Sequence, residues 1–307
     1  MTYRTLSLAS AMCFWLTVTG AHAQQYAIRS IDAPGAAATI ISDTSNNGES
    51  VGCYTTVNFS SGVGLTLVNA AFKPVKYPKA IDTCVNGISN NGKIAGDYED
   101  ISGNLHGFLL VGKTFTSLDY PGAVWTEATK VNKAGVVVGL YYDGTNDHGF
   151  SWQSGTFTAI DYPGASTTIA NGINDAGTIV GTYVTSGYHG FSLSGTTFTA
   201  IDYPGSAGTG LTGINNSGQI VGTYYNTPYI DQGFTDFSGV FTTVDYPGAD
   251  ITGLTGINDD GQLVGLWGGP TAVDDEDVHG FVATPIPGTS AAQRGGAPAR
   301  KGLLPPR

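Results

Sequence analysis

Basic residues are almost missing from the second half of this 307-residue chain. Between Lys133 and Arg294 there is no Lys or Arg, and the whole sequence has 13 basic against 24 acidic side chains, a formal charge of −11. Such a surface repels phosphate backbones and anionic headgroups, so nucleic acid and membrane surfaces are excluded as natural partners, and cations and neutral polymers are favoured. Long apolar runs are also scarce. Beyond the first 23 residues none approaches the roughly 20 residues of a spanning helix. No zinc signature, phosphate-binding glycine loop, Cys-His pair or Ser-His-Asp order is present, which removes the common routes to metal, nucleotide and nucleophilic chemistry. Helical patterning is absent as well. What the chain does have is 45 glycines among scattered Tyr, Phe, Val, Ile and Thr, the composition of short strands and tight turns.

The first 23 residues read as a secretory signal peptide, with Arg4 in a positive n-region, an apolar Leu6 to Val18, and Ala21-His22-Ala23 before the cleavage point. The expectation is a secreted protein, extracellular or periplasmic, and a monomer. Of three cysteines, Cys13 leaves with that peptide. Cys53 and Cys84 remain in an oxidising compartment, where a disulfide can persist; whether they pair is left open by the sequence. From 289 to 307 the chain mixes Gly, Ala, Pro and basic residues without an apolar period, and reads as a disordered tail.

Between these ends one phrase keeps returning. Ile160-Asp161-Tyr162-Pro163-Gly164-Ala165 has near copies at 118–123, 201–206 and 244–249 and degraded ones at 31–36 and 75–80. Its third residue falls at 33, 77, 120, 162, 203 and 246, steps of 41 to 44 residues. Each unit reads as four short strands, and a unit of that size matches one blade of a β-propeller. A parallel β-helix has shorter coils. The Asn-Asp-x-Gly turn before the second strand is counted at Gly48, Gly92, Gly135, Gly177, Gly218 and Gly261, and the His-Gly-Phe element or its variant likewise occurs six times. The last unit never writes its own fourth strand, whereas Tyr26 to Asp32 is a fourth strand with no unit of its own. The expected fold for residues 24–288 is therefore an all-β, six-bladed propeller, its ring closed by the N-terminal strand pairing into the last blade, which leaves no bare edge.

The combination of Asn-Asp-x-Gly-x-Ile-Val-Gly, then His-Gly-Phe, then Phe-Thr-x-Ile-Asp-Tyr-Pro-Gly-Ala resembles the bacterial HAF-repeat extracellular proteins over almost all of the mature chain. Gly stands here where the family name has Ala. The resemblance implies export and repetition, and no settled activity.

A residue needed once in an active site does not recur in register with a blade. The four histidines of the mature chain, His106, His148, His189 and His279, all sit in the repeated element, so they read as rings bonding to a neighbouring turn. Asp32, Asp119, Asp161, Asp202 and Asp245 read as caps of a backbone turn before Pro. The Asn-Asp-x-Gly turns read as ordinary hairpin corners.

Function then belongs where the repeats differ. Loops joining second to third and fourth to first strands share one face, and that face collects Tyr98, Trp125, Tyr142, Tyr188, Tyr225, Tyr229 and Trp267, with carboxylates between them. Aromatic rings beside carboxylates suit a sugar, with apolar faces to stack on and acceptors for hydroxyls. The leading expectation is a protein that binds an extracellular polysaccharide or a partner protein through this face. One alternative is a carbohydrate-active enzyme, a glycoside hydrolase or lyase; the candidate carboxylates are Glu99, Glu127 and Glu276, and a hydrolase needs two at roughly 5 to 9 Å. Another is a structural surface repeat without a small ligand. The acidic run Asp274-Asp275-Glu276-Asp277 is either a solvated loop or a cation site, with Asp274, Asp275 and Asp277 offering the hard oxygens that suit calcium.

Overall fold

Glycine-punctuated runs of Val, Ile, Thr and aromatics form strands throughout, and no helix occurs among the described residues. The computed structural model describes residues 24–56, 62–226, 231–269 and 278–288. Among the described residues twenty-four strands form six antiparallel four-stranded sheets. Blade 1 runs from the inner to the outer strand as β2 (Ala36–Thr44), β3 (Ser50–Thr56), β4 (Gly62–Val68) and β5 (Ala71–Val75). Blade 2 is β6 (Asp82–Ile88), β7 (Lys93–Glu99), β8 (Leu105–Val111) and β9 (Thr114–Leu118). Blade 3 is β10 (Trp125–Val131), β11 (Val137–Tyr142), β12 (Asp147–Gln153) and β13 (Thr156–Ile160). Blade 4 is β14 (Thr167–Ile173), β15 (Ile179–Val184), β16 (Tyr188–Ser194) and β17 (Thr197–Ala200). Blade 5 is β18 (Gly208–Ile214), β19 (Ile220–Tyr225), β20 (Asp231–Phe237) and β21 (Val240–Thr243).

Blade 6 joins the two ends of the chain. Its inner three strands are β22 (Ile251–Ile257), β23 (Leu263–Gly268) and β24 (Val278–Pro285), and its outer strand is β1 (Tyr26–Ile31), paired antiparallel with β24 from Tyr26↔Pro285 to Ile31↔Gly280. The closure expected from the orphan fourth strand is what the molecule has. Residues 26–285 make one compact unit. In the other unit, the Ile286 N–H donates to the Gln25 carbonyl at 2.8 Å. Residues 1–23, expected as a signal peptide, and 289–307, expected as a disordered tail, lie outside the described residues.

Each hydrophobic cluster bridges two blades. Val138 of blade 3 packs with Ile173, Ile179, Tyr183 and Phe191 of blade 4, and Val264 of blade 6 with Ile41, Leu65 and Leu67 of blade 1. At the centre of blades 2 to 6 stands a fully buried phenylalanine from His-Gly-Phe or its variant, Phe108, Phe150, Phe191, Phe234 or Phe281; Leu65 takes its place in blade 1. That ring fits because the facing second-strand residue is glycine. A β-carbon on Gly181 would stand 2.0 Å from the Ile169 carbonyl oxygen and 2.8 Å from the Phe191 ring.

The repeated phrase has three structural tasks. Tyr-Pro-Gly-Ala is a tight turn, with the Ala165 N–H donating to the Tyr162 carbonyl at 3.1 Å and Gly164 at φ +81°, where glycine carries no steric penalty. The tyrosine N–H is held by a threonine from the next blade, as in Tyr162 N–H to Thr168 Oγ1 at 3.0 Å. The aspartate does not cap that turn. It accepts from the repeated histidine instead, His148 Nδ1 to Asp161 at 2.8 Å, His189 to Asp202 at 3.0 Å and His279 to Asp32 at 2.8 Å, with His106 on Asp119. A carboxylate beside an imidazole gains a charge-assisted bond, and Asp202 and Asp245 also accept the Gly190 and Gly233 N–H of the third strand. Burial pulls His106 and His148 down, but Asp119 and Asp161, aided by Asp100 and Asp143, outweigh it and leave both raised.

The Asn-Asp-x-Gly corners do more than reverse the chain. Asn132, Asn174, Asn215 and Asn258 are buried, and each donates its amide to the equivalent carbonyl of the next blade, at Asn174, Asn215, Asn258 and Ser45. A second belt runs through the next residue, as in Asp175 N–H to Asn216 Oδ1 and Asn216 N–H to Asp259 Oδ1, both at 2.8 Å. Burial raises the Asp259 carboxyl, but the amides of Asn46, Asn216 and Asn90 more than reverse this and hold it below the usual range.

The belts surround a cavity of about 50 Å³ whose lining includes Asp43 and Lys130. Both stand at an inner-strand position that is glycine in the other blades, Gly87, Gly172, Gly213 and Gly256. Lys130 Nζ lies 3.3 Å from Asp43 and also donates to the Ser42 and Asn86 carbonyls. Burial pushes Asp43 up and Lys130 down, each partly offset by its partner. Such a pair contributes little net stability, yet a lone buried charge is costly. Lys130→Met is expected to lose about 3–5 kcal/mol in urea unfolding, and Asp43→Asn/Lys130→Met to recover most of it. A double variant as unstable as the single one would contradict this reading.

Candidate functional site

The aromatic residues of the loop face fall into two groups. Tyr98 and Trp267 are fillers of the frame. Tyr98 stacks on Tyr77 at 3.6 Å and on His106 at 5.0 Å, and its hydroxyl bonds Ser117 at 2.9 Å. Burial pushes its hydroxyl up to about 12. Trp267 lies against Tyr246 at 4.2 Å and His279 at 4.5 Å, with its indole N–H donating to Ser30 Oγ at 3.2 Å. The same stack recurs as Tyr120–Tyr141–His148 and Tyr162–Tyr183–His189. These rings spend their faces on one another, so the expectation that Tyr98 and Trp267 offer a face to a ligand is corrected.

Tyr225 lies over the backbone of blade 5, where a β-carbon on Gly208 would meet its ring at 2.4 Å. Tyr188 is 52% exposed and opens the third strand of blade 4. Tyr229 and the acidic run Asp274, Asp275, Glu276 and Asp277 lie outside the described residues. Among the described residues no group of three or more His, Cys, Asp or Glu is arranged to hold a metal ion.

Blade 3 is different. Trp125 opens β10, Tyr142 closes β11 and Asp147 opens β12, and the ladder places Trp125 opposite Tyr142 and Tyr142 opposite Asp147. Side chains directly opposite each other share a face of the sheet. The indole and phenol stack at 5.8 Å with 20° between their planes. Both are partly exposed, and neither has another ring contact among the described residues. Val124 beside them is 62% exposed, and its N–H ties the two loops together through the Tyr142 carbonyl at 2.8 Å. The equivalent of Trp125 is Asp82, Thr167, Gly208 or Ile251 in the blades that follow the same register, so no repeat of the fold requires an indole here.

Glu127 lies two residues along β10, on the same face as Trp125. Its carboxyl end is enclosed, and burial followed by the charge of Asp147 pushes it up. Asp97, from β7 of the preceding blade, is pushed well above the usual carboxylate range by burial, then by Glu127; the Asn86 amide at 2.6 Å opposes this, and Asp82 adds to it. The sequence singled out Glu127 and passed over Asp97. Glu99 lies two residues along β7 from Asp97, opposite Asp82 at the end of the strand. Two carboxyls that resist losing both protons provide an acidic, hydrogen-bonding floor beside the stacked rings.

The disulfide is formed, with Cys53 of β3 joined to Cys84 of β6 and their α-carbons 5.1 Å apart. It ties blade 1 to blade 2.

No protein-family model matches this chain, and no curated protein does. Among solved structures, AofleA from Arthrobotrys oligospora is similar with a TM-score of 0.53 and 9% identity, over 86% of this chain and 90% of that one. A Hadza microbial sialidase, Hz136, is similar with a TM-score of 0.52 and 8% identity, over 81% of this chain and 66% of that one. A lectin of Aleuria aurantia, described as a six-bladed propeller with a fucose recognition mode, has a TM-score of 0.49 and 10% identity over 88% of this chain and 97% of that one. At identities this low, fold is all that the first two similarities establish, and the third carries no further weight.

Proposed function

We propose that the protein is an exported glycan-binding propeller, and that the glycan is held on the loop face of blade 3. The observation that carries this reading is the Trp125–Tyr142 pair, stacked at 5.8 Å, partly exposed and set beside Glu127 and Asp147 at a position where the other blades of the same register have no pair of aromatic residues. A sugar ring offers C–H groups to an aromatic face and hydroxyls to nearby acceptors, and this arrangement supplies both. A chain this acidic does not favour an anionic polymer. Export rests on the leader at 1–23 and on the resemblance to HAF-repeat proteins.

The test is a glycan array probed with the mature chain, with and without a chelator. Binding to at least one neutral or cationic polysaccharide is expected, and Trp125→Ala is expected to weaken it at least tenfold, about the effect of losing an interfacial aromatic anchor. Since Trp125 is partly exposed at a strand end, the variant should keep its melting temperature. No binding to any glycan in either condition would remove the reading.

A further inference from the structure

Six places in the ring are equivalent, each pairing a second-strand residue of one blade with a first-strand residue of the next. They are Cys53 with Cys84, Asp97 with Glu127, Leu140 with Ile169, Thr182 with Gly210, Thr223 with Gly253, and Leu266 with Ile40. The geometry of the column is fixed at two points. The cystine α-carbons are 5.1 Å apart, and a β-carbon on Gly210 would lie 3.2 Å from Thr182 Oγ1. Five of these places carry a covalent bond, an apolar contact or a small uncharged pair, any of which holds two blades together. The sixth sets acid against acid.

Nothing in the frame needs this pair. Like charges at such an approach repel, and an enclosed carboxylate without a partner costs free energy. Asp97 has the amide of Asn86; Glu127 makes no hydrogen bond among the described residues. Lys130, three residues along β10, is spent on Asp43 and on the Ser42 and Asn86 carbonyls. No metal-binding cluster is present among the described residues to supply the missing charge. A cationic group on a ligand would meet two unmatched acids here, and the stacked indole and phenol on the same face of blade 3 say what kind of ligand it is.

We propose that the bound glycan carries free amino groups, with an ammonium paired to Glu127 in the field of Asp97 and Asp147 while its sugar ring lies on Trp125 and Tyr142. This rests on the glycan-binding reading and narrows it to 2-amino-2-deoxy sugars. An ammonium brings three donors and a positive charge to a Glu127 carboxyl that has neither. An N-acetylated or neutral sugar brings the same apolar face without the charge. No covalent bond is made or broken; the ammonium forms a charge-assisted contact with the Glu127 carboxyl.

The test is calorimetric titration of the mature chain with three tetramers, of glucosamine, of N-acetylglucosamine and of β-1,4-linked glucose. Glucosamine tetramer is expected to bind about tenfold more tightly than either of the others, as a charge-assisted contact predicts. Glu127→Gln should reduce that preference to about twofold while melting no lower than the parent, since it removes a repulsion. Trp125→Ala should weaken all the tetramers that bind. If the acetylated or glucose tetramer binds as tightly as glucosamine, or if Glu127→Gln keeps the full preference, the amino-sugar proposal is overturned and glycan binding at Trp125 stands. If no tetramer binds while the array reports another glycan, the proposal again falls alone. If neither experiment finds a glycan, both readings fall.

Discussion

Removing residues 24–32 is expected to abolish cooperative folding. The deletion takes away β1, and with it the whole ladder from Tyr26↔Pro285 to Ile31↔Gly280. It also takes Tyr26 and Ile28 from the blade 5–6 core, Ile31 from the blade 6–1 core, Asp32 from His279, and Ser30 from the Trp267 indole. Burying side chains of this size contributes roughly 1.5–3 kcal/mol each, so the apolar loss alone consumes much of a typical stability of about 5–15 kcal/mol. The unpaired edge of β24 would then be free to pair with another chain. Size-exclusion chromatography and calorimetry should find aggregate and a broad or absent transition. A monomer melting within a few degrees of the parent would mean that the ring does not depend on its closing strand. Deleting 290–307 serves as the control, with no change expected.

Gly181→Ala is the point substitution with the largest expected effect. The new methyl would sit 2.0 Å from the Ile169 carbonyl oxygen and 2.8 Å from the Phe191 ring. The first neighbour is backbone in the ladder between β14 and β15 and cannot swing aside; the second is the fully buried centre of blade 4. A loss of about 3 kcal/mol or more in denaturant unfolding is expected, the upper end for overpacking. Gly187→Ala, whose β-carbon would have nothing closer than 3.9 Å, should stay within about 0.5 kcal/mol of the parent. Equal stability of the two variants would contradict the packing described for this glycine, and by repetition for Gly52, Gly96, Gly139, Gly222 and Gly265.

The frame was legible in the sequence because its information is periodic. A phrase recurring every 41 to 44 residues gives the blade, counting its turns gives six, and an orphan strand at Tyr26 gives the closure. What a run of neighbouring residues cannot disclose is a contact made between strands or between repeats. Asp161 was readable as a turn cap because its partner His148 lies on another strand, and Tyr98 was readable as a ligand platform because Tyr77, which covers it, lies at the end of the previous unit. The belts of Asn174 and Asp175 escaped notice for the same reason, their partners being 41 residues away. Asp97 was within reach. Writing Cys53, Asp97, Leu140, Thr182, Thr223 and Leu266 in one column and Cys84, Glu127, Ile169, Gly210, Gly253 and Ile40 in the next sets the one acid–acid pair beside the one disulfide. A formed bond at Cys53–Cys84 then implies contact at Asp97–Glu127.

Repetition thus separates the two kinds of residue. The histidines, the aspartates of the repeated phrase and the stacked tyrosines are alike from blade to blade and build the disc. The Trp125–Tyr142 pair, Glu127 and Asp97 are found once, adjoin one another, and do no work that the other blades need done. Electrophoresis of the mature protein through native gels cast with a dissolved glucosamine polymer tests this division most directly. The parent should be retarded relative to a blank gel, and Trp125→Ala should migrate as it does in the blank. Equal retardation of both proteins would contradict the assignment of function to the loop face of blade 3; retardation of neither would overturn the amino-sugar proposal alone.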